Sequence, residues 1–510
     1  MPVFAPPTPQ QAARTVVDNQ TRARLGAWAP KDAVTSWYWA GLVTLLALVL
    51  RMVNIQHPDK IIFDETYYAN DAKALLKHGY ERNDAGATIA AHPPFGKWCI
   101  ALGEWLFGYN SFGWRFSAAI FGSLSVLLLI RIARRMFRST LLGCLAGTLL
   151  ALEGLHFTSS RIALLDIFLL FWVLAAFGCL VLDRDRRRAQ LLAQLEEKGA
   201  IDPGRTSWRD WPWWRVAAAV CLGLAFGVKW SALWLSIAFV VLMIVWELQA
   251  RRSAGSKHVF LDWVGYETGW LALFAVVIVG TYLLTWTGWF LTDDGYMRQY
   301  AAENDASVWF LPDALVSLWH YQSYIYEFHS NLHAKHDYQS TPLSWLIMER
   351  PVLYYADYSG ECGDTQCAAT ISGMANPLLW WSFLPALAVC GWRWITRRDW
   401  RSVSIILIAF AGIGPWLLYP DRTMFFFYAL PVVPFFILGV TMALGMALRT
   451  EPAENEIAHI VPERRLIGVA ALVLYLAIVG ASFVYFYPLM TGMDLPYQQW
   501  DDHFWFDSWI

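Results

Sequence analysis

The stretch FDETYYANDAKALL, residues 63–76, places two adjacent carboxylates, Asp64 and Glu65, directly behind the first strongly apolar run of the chain. Within it Tyr67, Tyr68, Ala72, Leu75 and Leu76 recur at helical spacing, and Lys73 and Lys77 share another face. That pattern predicts an amphipathic helix lying on a membrane, with Asp64 at its N-terminus. The membrane follows from composition. The 510 residues are 57% hydrophobic and their mean hydropathy is +0.37, above the usual apolar share of about 45–50% in soluble domains. Trp occurs 30 times, and Trp37, Trp39, Trp114, Trp263, Trp380, Trp381 and Trp394 lie near the ends of apolar runs, where amphipathic rings favour the interface.

About eleven apolar runs reach the roughly 20 residues that a span requires, centred near residues 44, 123, 147, 174, 221, 239, 276, 385, 410, 436 and 477. The connections EGLHFTSSRIALLD, GVKW and YPDRTM then become hairpin tips. The fold class expected is an all-α polytopic membrane protein. The basic clusters RIARR, DRDRRR, ELQARR, TRRDWR and PERR fall on one side of the bilayer if the N-terminus is cytoplasmic, as the positive-inside rule favours. Residues 52–112, residues 291–376 and the C-terminus are then external. The division expected is a disordered cytoplasmic tail at 1–35, without the apolar core of a signal peptide, a transmembrane catalytic domain at 36–490 and an external tail at 491–510. A net charge of −2 indicates no particular partner.

The external face gathers the chemistry. HPPFGK brings His92 and Lys97, Arg115 stands at the mouth of the second span, RIALLD holds Arg161 and Asp166, and Lys229 and Arg422 lie in GVKW and YPDRTM. Ionisable groups at such depth are costly and are paired or functional. Each also has a plainer reading: Asp64 and Glu65 as helix cap and first-turn acid, Arg161 and Asp166 as an ion pair, Lys229 and Arg422 as cations snorkelling to headgroups. Two acids among several cations on one face suit transfer of a sugar from a lipid phosphate to a hydroxyl. A carboxylate accepts the hydroxyl proton, and cations stabilise the departing phosphate.

In order, FDETYYANDAKAL, HPPFGKW, RIALLDIFLLFW, GVKWSALW and RTMFFFYALP resemble the protein O-mannosyltransferases of glycosyltransferase family 39, over about residues 40–490. The resemblance implies the GT-C fold and inverting transfer of mannose from a polyprenyl phosphate to Ser or Thr of proteins crossing the membrane. By motif, Asp64 matches the catalytic base and Glu65 the adjacent acid. Arg115, Lys229 and Arg422 match basic positions near the donor phosphate, whereas His92, Lys97, Arg161 and Asp166 are site or structural residues. Eukaryotic members insert a β-trefoil in the loop that residues 291–376 occupy, and this loop is too short for one, so the chain resembles bacterial members of the plasma membrane. The partners implied are a lipid-linked mannose donor, Ser/Thr acceptor proteins, the membrane and the secretion translocon.

His329, His333 and His336, within LVSLWHYQSYIYEFHSNLHAKH, have the spacing of one helix face and raise a metal reading against contacts with solvent or acceptor. No cofactor is established by sequence and a divalent cation stays open; no Walker loop or dinucleotide fingerprint occurs, and nothing points to nucleic acid. Cys362 and Cys367, in ECGDTQC, form a candidate external disulfide. Two other classes compete: a GT-C enzyme with a lipid or cell-wall glycan acceptor, and a polytopic lipid transporter. The latter predicts internal repeats and acids at mid-membrane, whereas the ionisable groups here cluster at one face.

Overall fold

The computed structural model describes residues 17–26, 30–83, 86–88, 91–201, 211–448 and 462–510. Its first half runs α1 (Asn19–Leu25), α2 (Ala33–Met52), α3 (Glu65–His78), α4 (Phe95–Phe107), α5 (Ser111–Phe137), α6 (Thr140–Ala151), α7 (Gly154–Ser159), α8 (Asp166–Lys198), α9 (Trp213–Val228), α10 (Ala232–Ser253) and α11 (Val259–Thr285). Among the described residues nine helices are long and apolar enough to cross a membrane, six of them in the second half or bordering it and all at centres expected from the sequence. The runs centred near 147 and 221 form the shorter α6 and α9, of 12 and 16 residues. At 1.5 Å per residue these rise about 18 and 24 Å, short of a hydrocarbon core of about 30 Å.

The long helix α8 is the hub. Its apolar face, including Leu169, Leu170, Val173, Leu174 and Phe177, is buried, and it packs on α5, α9 and α10. Helix α2 instead leaves most of its surface outside the bundle, as expected of a helix solvated by lipid. One glycine brings the polar motifs together: a Cβ at Gly96 in α4 would come within 2.8 Å of Leu165 and 3.1 Å of Val228. These residues immediately precede Asp166 and, by one position, Lys229, so close packing of α4 draws three motifs to the same end of the bundle.

The all-α expectation holds for the bundle and is refined outside it. Strands β3 (Val352–Asp357), β4 (Glu361–Cys362) and β5 (Thr365–Gly373) form a sheet in the order β3-β5-β4, with β6 (Leu495–Pro496) pairing β5; a small hairpin, β1 (Arg82–Asn83) with β2 (Gly86–Ala87), lies nearer the N-terminus. The composition of VLYYAD and CAATIS suits a pleated, half-buried surface, and the backbone needs no helix where it lies beyond the apolar spans. Cys362 and Cys367 are joined by a disulfide at the tip of the β4–β5 hairpin. The C-terminal segment is docked on this sheet, with Trp500 Nε1 donating to Thr370 Oγ1 at 3.1 Å and Trp509 Nε1 to the Met348 carbonyl at 2.9 Å.

The N-terminal tail is also corrected in part. Asn19–Leu25 is helical, capped by Asp18, whose carboxylate accepts from Thr21 N, and Leu25 packs with Leu191, Ala250 and Ala254. Residues 1–16 and 27–29 lie outside the described residues. At this same end of the bundle buried arginines are neutralised by acids: Arg187 with Glu247, and Arg215 with Asp183 and Glu267.

Candidate active site

At the other end, the chain leaves α2 and returns through residues 53–64 into α3. Glu65 opens α3 and is 1% exposed, facing Arg115, which is wholly buried. Arg115 Nε donates to Glu65 Oε1 at 2.8 Å and Nη2 to Oε2 at 2.9 Å. Its remaining N–H groups reach the carbonyls of Ile55, Pro58 and Lys60 at 3.0–3.1 Å. The same carboxylate accepts from the main-chain N–H of Ile62 at 3.1 Å and Ala163 at 3.0 Å. A guanidinium has five N–H donors, and here all five are engaged. With every donor taken, Arg115 faces Glu65 and loop carbonyls with no N–H left for a phosphate, and the pair fixes the 53–64 loop against α5 and the residues before α8.

Asp64 differs. Although it stands at the N-cap of α3, its side chain makes no cap hydrogen bond, so the capping reading does not account for it. Its carboxyl is pushed up to about 6, by burial first, with Asp166 adding to the rise, while Lys229 and a hydrogen bond with the Tyr68 hydroxyl oppose it. The Tyr68 phenol is itself held well above its ordinary range by burial and by the charges of Asp64 and Asp166. Lys229, at the end of α9, gives Asp166 Oδ2 a hydrogen bond of 2.7 Å. Its ammonium also lies 5.7 Å from the ring centroids of both Phe427 and Tyr428.

Above this pair sit two imidazoles. His92 and His329 stack at 5.0 Å, and His329 Nε2 is 2.5 Å from the Ala91 carbonyl, to which it donates. Burial, and then the nearby cations Lys229 and Arg422, hold both rings below their ordinary range, His329 at about 4 and His92 well below; both are neutral at pH 7. Arg422 Nε donates to the His329 carbonyl at 3.2 Å and Nη2 lies 3.3 Å from His329 Nδ1. Arg422 Nη1, shielded from solvent, has no acceptor among the described residues. The guanidinium rests over the rings of Trp416 at 5.3 Å and Tyr428 at 5.5 Å.

The geometry thus divides the residues singled out by sequence. Asp64, His92, Asp166, Lys229 and Arg422 converge. Lys97 does not join them as a free cation; buried, it pairs with Asp71 at 2.9 Å and Glu81 at 3.3 Å. Arg161 does not pair with Asp166. Its guanidinium hydrogen-bonds the carbonyls of Leu50, Arg51, Val53 and Asn54, capping the end of α2. The three histidines of the long loop do not share a helix face, because that helix, Asp313–Ser330, ends after His329. His333 Nδ1 meets the Asp421 carbonyl and His336 packs on Phe425. Among the described residues no group of three or more His, Cys, Asp or Glu side chains is arranged to hold a metal ion.

Sequence reasoning passed over the aromatic lining. Tyr68 and Tyr428 lie within the motifs FDETYY and RTMFFFYALP, but neither carries charge, and the pairing of Tyr428 with Lys229 depends on a fold that joins distant segments. Phe63, with φ +45, directs its ring to Tyr354 at 5.0 Å and towards Phe425 and Phe427 at 6.5 and 6.0 Å, closing one wall of the site.

Comparison with known proteins converges on one family. The family model for dolichyl-phosphate-mannose-protein mannosyltransferase matches residues 41–114 and 109–288, and the model for the C-terminal four TMM region of protein-O-mannosyltransferase matches residues 314–509. The polyprenol-phosphate-mannose--protein mannosyltransferase of Mycobacterium tuberculosis is 37% identical, covering 99% of this chain and 98% of that one; the Corynebacterium glutamicum protein of the same name is 32% identical over 94% of each. Among solved structures, the Saccharomyces cerevisiae protein O-mannosyltransferase Pmt1-Pmt2 complex bound to the sugar donor superposes with a TM-score of 0.72 at 14% identity, covering 94% of this chain and 93% of that chain. ArnT from Cupriavidus metallidurans in the apo state gives 0.53 at 16% identity over 90% and 77%. Both likenesses, at such low identity, concern the fold.

Proposed function

The chain belongs to the protein mannosyltransferase family, and from that premise we propose a catalytic centre in which Asp64 is the general base and Lys229 and Arg422 face the donor phosphate. The protein is a multi-pass membrane enzyme of GT-C fold, a polyprenyl-phosphate-mannose protein mannosyltransferase. The Asp64 carboxylate removes the proton of a Ser or Thr hydroxyl as its oxygen attacks the mannosyl C1. The C1–O bond to phosphate breaks with its electron pair, leaving polyprenyl phosphate and an O-mannosylated protein with inverted anomeric configuration. No intermediate forms, and the proton leaves on Asp64.

The observation that carries this reading is the contrast between neighbours. Glu65 is fully hydrogen-bonded to a guanidinium and two main-chain N–H groups. Asp64 lacks such support and its carboxyl lies near 6. A base tuned towards the working pH, yet still mostly ionised at pH 7, is what proton transfer requires. Arg422, with a guanidinium nitrogen that has no acceptor among the described residues, and Lys229, whose ammonium can donate beyond Asp166, supply positive charge where the phosphate gains it. The neutral imidazoles of His92 and His329 add hydrogen-bonding groups for sugar hydroxyls without further charge.

The positive-inside distribution supports an orientation with this site on the extracytoplasmic side of the plasma membrane and the N-terminus in the cytoplasm. It also supports the division into tail, catalytic domain at 36–490 and external C-terminal segment. Acceptors then meet the enzyme as they emerge, which is consistent with work beside the secretion translocon. The test is incubation of the purified protein with radiolabelled polyprenyl-phosphate mannose and either a Ser/Thr peptide or a glycolipid. Label must enter the peptide; label confined to the glycolipid refutes the acceptor assignment.

A further inference from the structure

Among the described residues the outer edge of β3 has no partner strand, and it adjoins the wall of the proposed site. Strand β3 pairs with β5 on one side alone. Among the described residues no other main-chain or side-chain group hydrogen-bonds the backbone of Val352–Asp357. Ala356 is exposed, Leu353, Tyr355 and Asp357 are partly so, and Val352 and Tyr354 are buried. A free row of N–H and C=O groups is a template for a further strand, which proteins ordinarily cover or blunt.

Here the blunting is slight: the register shifts between Leu353 and Tyr355, and Lys60 closes one end, 3.4 Å from Asp357 Oδ2 and 4.7 Å from the Tyr355 ring centroid. The middle of the strand is anchored in the site itself. The Tyr354 ring lies 5.0 Å from Phe63, the residue before Asp64, and 6.1 Å from Phe427, which faces Lys229. The Tyr354 phenol also lies within electrostatic reach of Asp166 and Asp64. A chain laid along this edge passes beside the wall that Phe63 and Tyr354 form next to the proposed base.

We propose that the acceptor polypeptide binds as an extended strand added to the free edge of β3, which delivers its Ser or Thr side chain to Asp64. This rests on the function given above and names how the acceptor is held. Main-chain pairing reads no side chain, so it suits an enzyme that recognises one hydroxyl within varied sequences, and alternate side chains of an added strand share one face. The occupant must be polypeptide, since a lipid or glycan acceptor offers no ladder of N–H groups.

The experiment uses the wild-type protein and a peptide with a single Thr, N-methylated at one backbone nitrogen at a time through three residues on either side. An added strand predicts a period of two. At alternate positions KM rises on the order of tenfold, as expected for one lost hydrogen bond and a methyl group against the edge, and the intervening positions change little; kcat holds. A peptide carrying a photo-crosslinker two residues from the Thr is expected to label Leu353–Asp357. If the unmodified peptide accepts mannose but methylation acts uniformly or not at all, the strand model falls and the function stands. If crosslinks at β3 join two copies of the protein instead, the edge belongs to self-association and the model is overturned. If the unmodified peptide accepts no mannose, both readings fall.

Discussion

Replacing Glu65 by Gln separates architecture from chemistry within the acidic pair. Each carboxylate oxygen accepts from two donors: Oε1 from Arg115 Nε and Ala163 N, and Oε2 from Arg115 Nη2 and Ile62 N. Whichever way the new amide turns, its NH2 group confronts two N–H donors, and Arg115, 0% exposed, loses its counter-charge. Breaking a buried pair from one side costs about 3–5 kcal/mol, and the loop at 53–64 loses the anchor that fixes Asp64. The expected outcome is a fall of several degrees in the unfolding midpoint of the detergent-purified protein, together with loss of transfer. Followed by fluorescence-detected size exclusion after heating, the variant is less stable than wild type, whereas Asp64→Asn is not. A Glu65→Gln protein with an unchanged midpoint and abolished transfer would refute the reasoning, because Glu65 would then act in the chemistry.

Three further outcomes follow from the same geometry. Lys229→Gln and Arg422→Gln each lower kcat/KM about a hundredfold, the loss typical of one preorganised group facing developing charge, and both weaken inhibition by polyprenyl phosphate; inhibition unaltered in both variants counts against a phosphate site. Arg161→Gln removes the groups that cap α2 and costs about 2 kcal/mol through carbonyls left without donors, seen in thermal stability, while an Arg161→Gln protein as stable as wild type contradicts the capping role. Replacing Cys362 and Cys367 together by Ser opens a short loop, worth about 2 kcal/mol by loop-closure entropy; transfer in the absence of reductant persists, with a lowered midpoint.

The spans were legible because apolar length is a one-dimensional signal, and each centre read from sequence coincides with an apolar helix. The short pair α6 and α9 differ in length because EGLH and GVKW interrupt the helical path earlier than hydropathy indicates. The sheet was not legible: β3 and β5 are separated by a polar hairpin and closed by residues 495–496, a pairing that no local pattern announces. Within the site, motif position singled out Asp64, Lys229 and Arg422, which the fold brings together. The same logic leaves Arg115 and Glu65 undivided, since a buried acid beside an arginine reads alike whether it serves a phosphate or a loop, and only the saturation of all five guanidinium donors favours the loop. Arg161 likewise turned on carbonyl groups at the end of α2, which sequence does not display.

The most direct measurement is the rate of mannose transfer to peptide from pH 4.5 to 8, for wild type and Asp64→Asn. The Asp64 carboxyl, raised to about 6, must be unprotonated to act, so below that value the wild-type rate falls about tenfold per pH unit and above it the rate levels off. Asp64→Asn, folded and inserted, loses at least a hundredfold, within the range of about 10²–10⁴ for removal of a general base. A wild-type rate independent of pH across this window, or an Asp64→Asn rate close to it, contradicts the account.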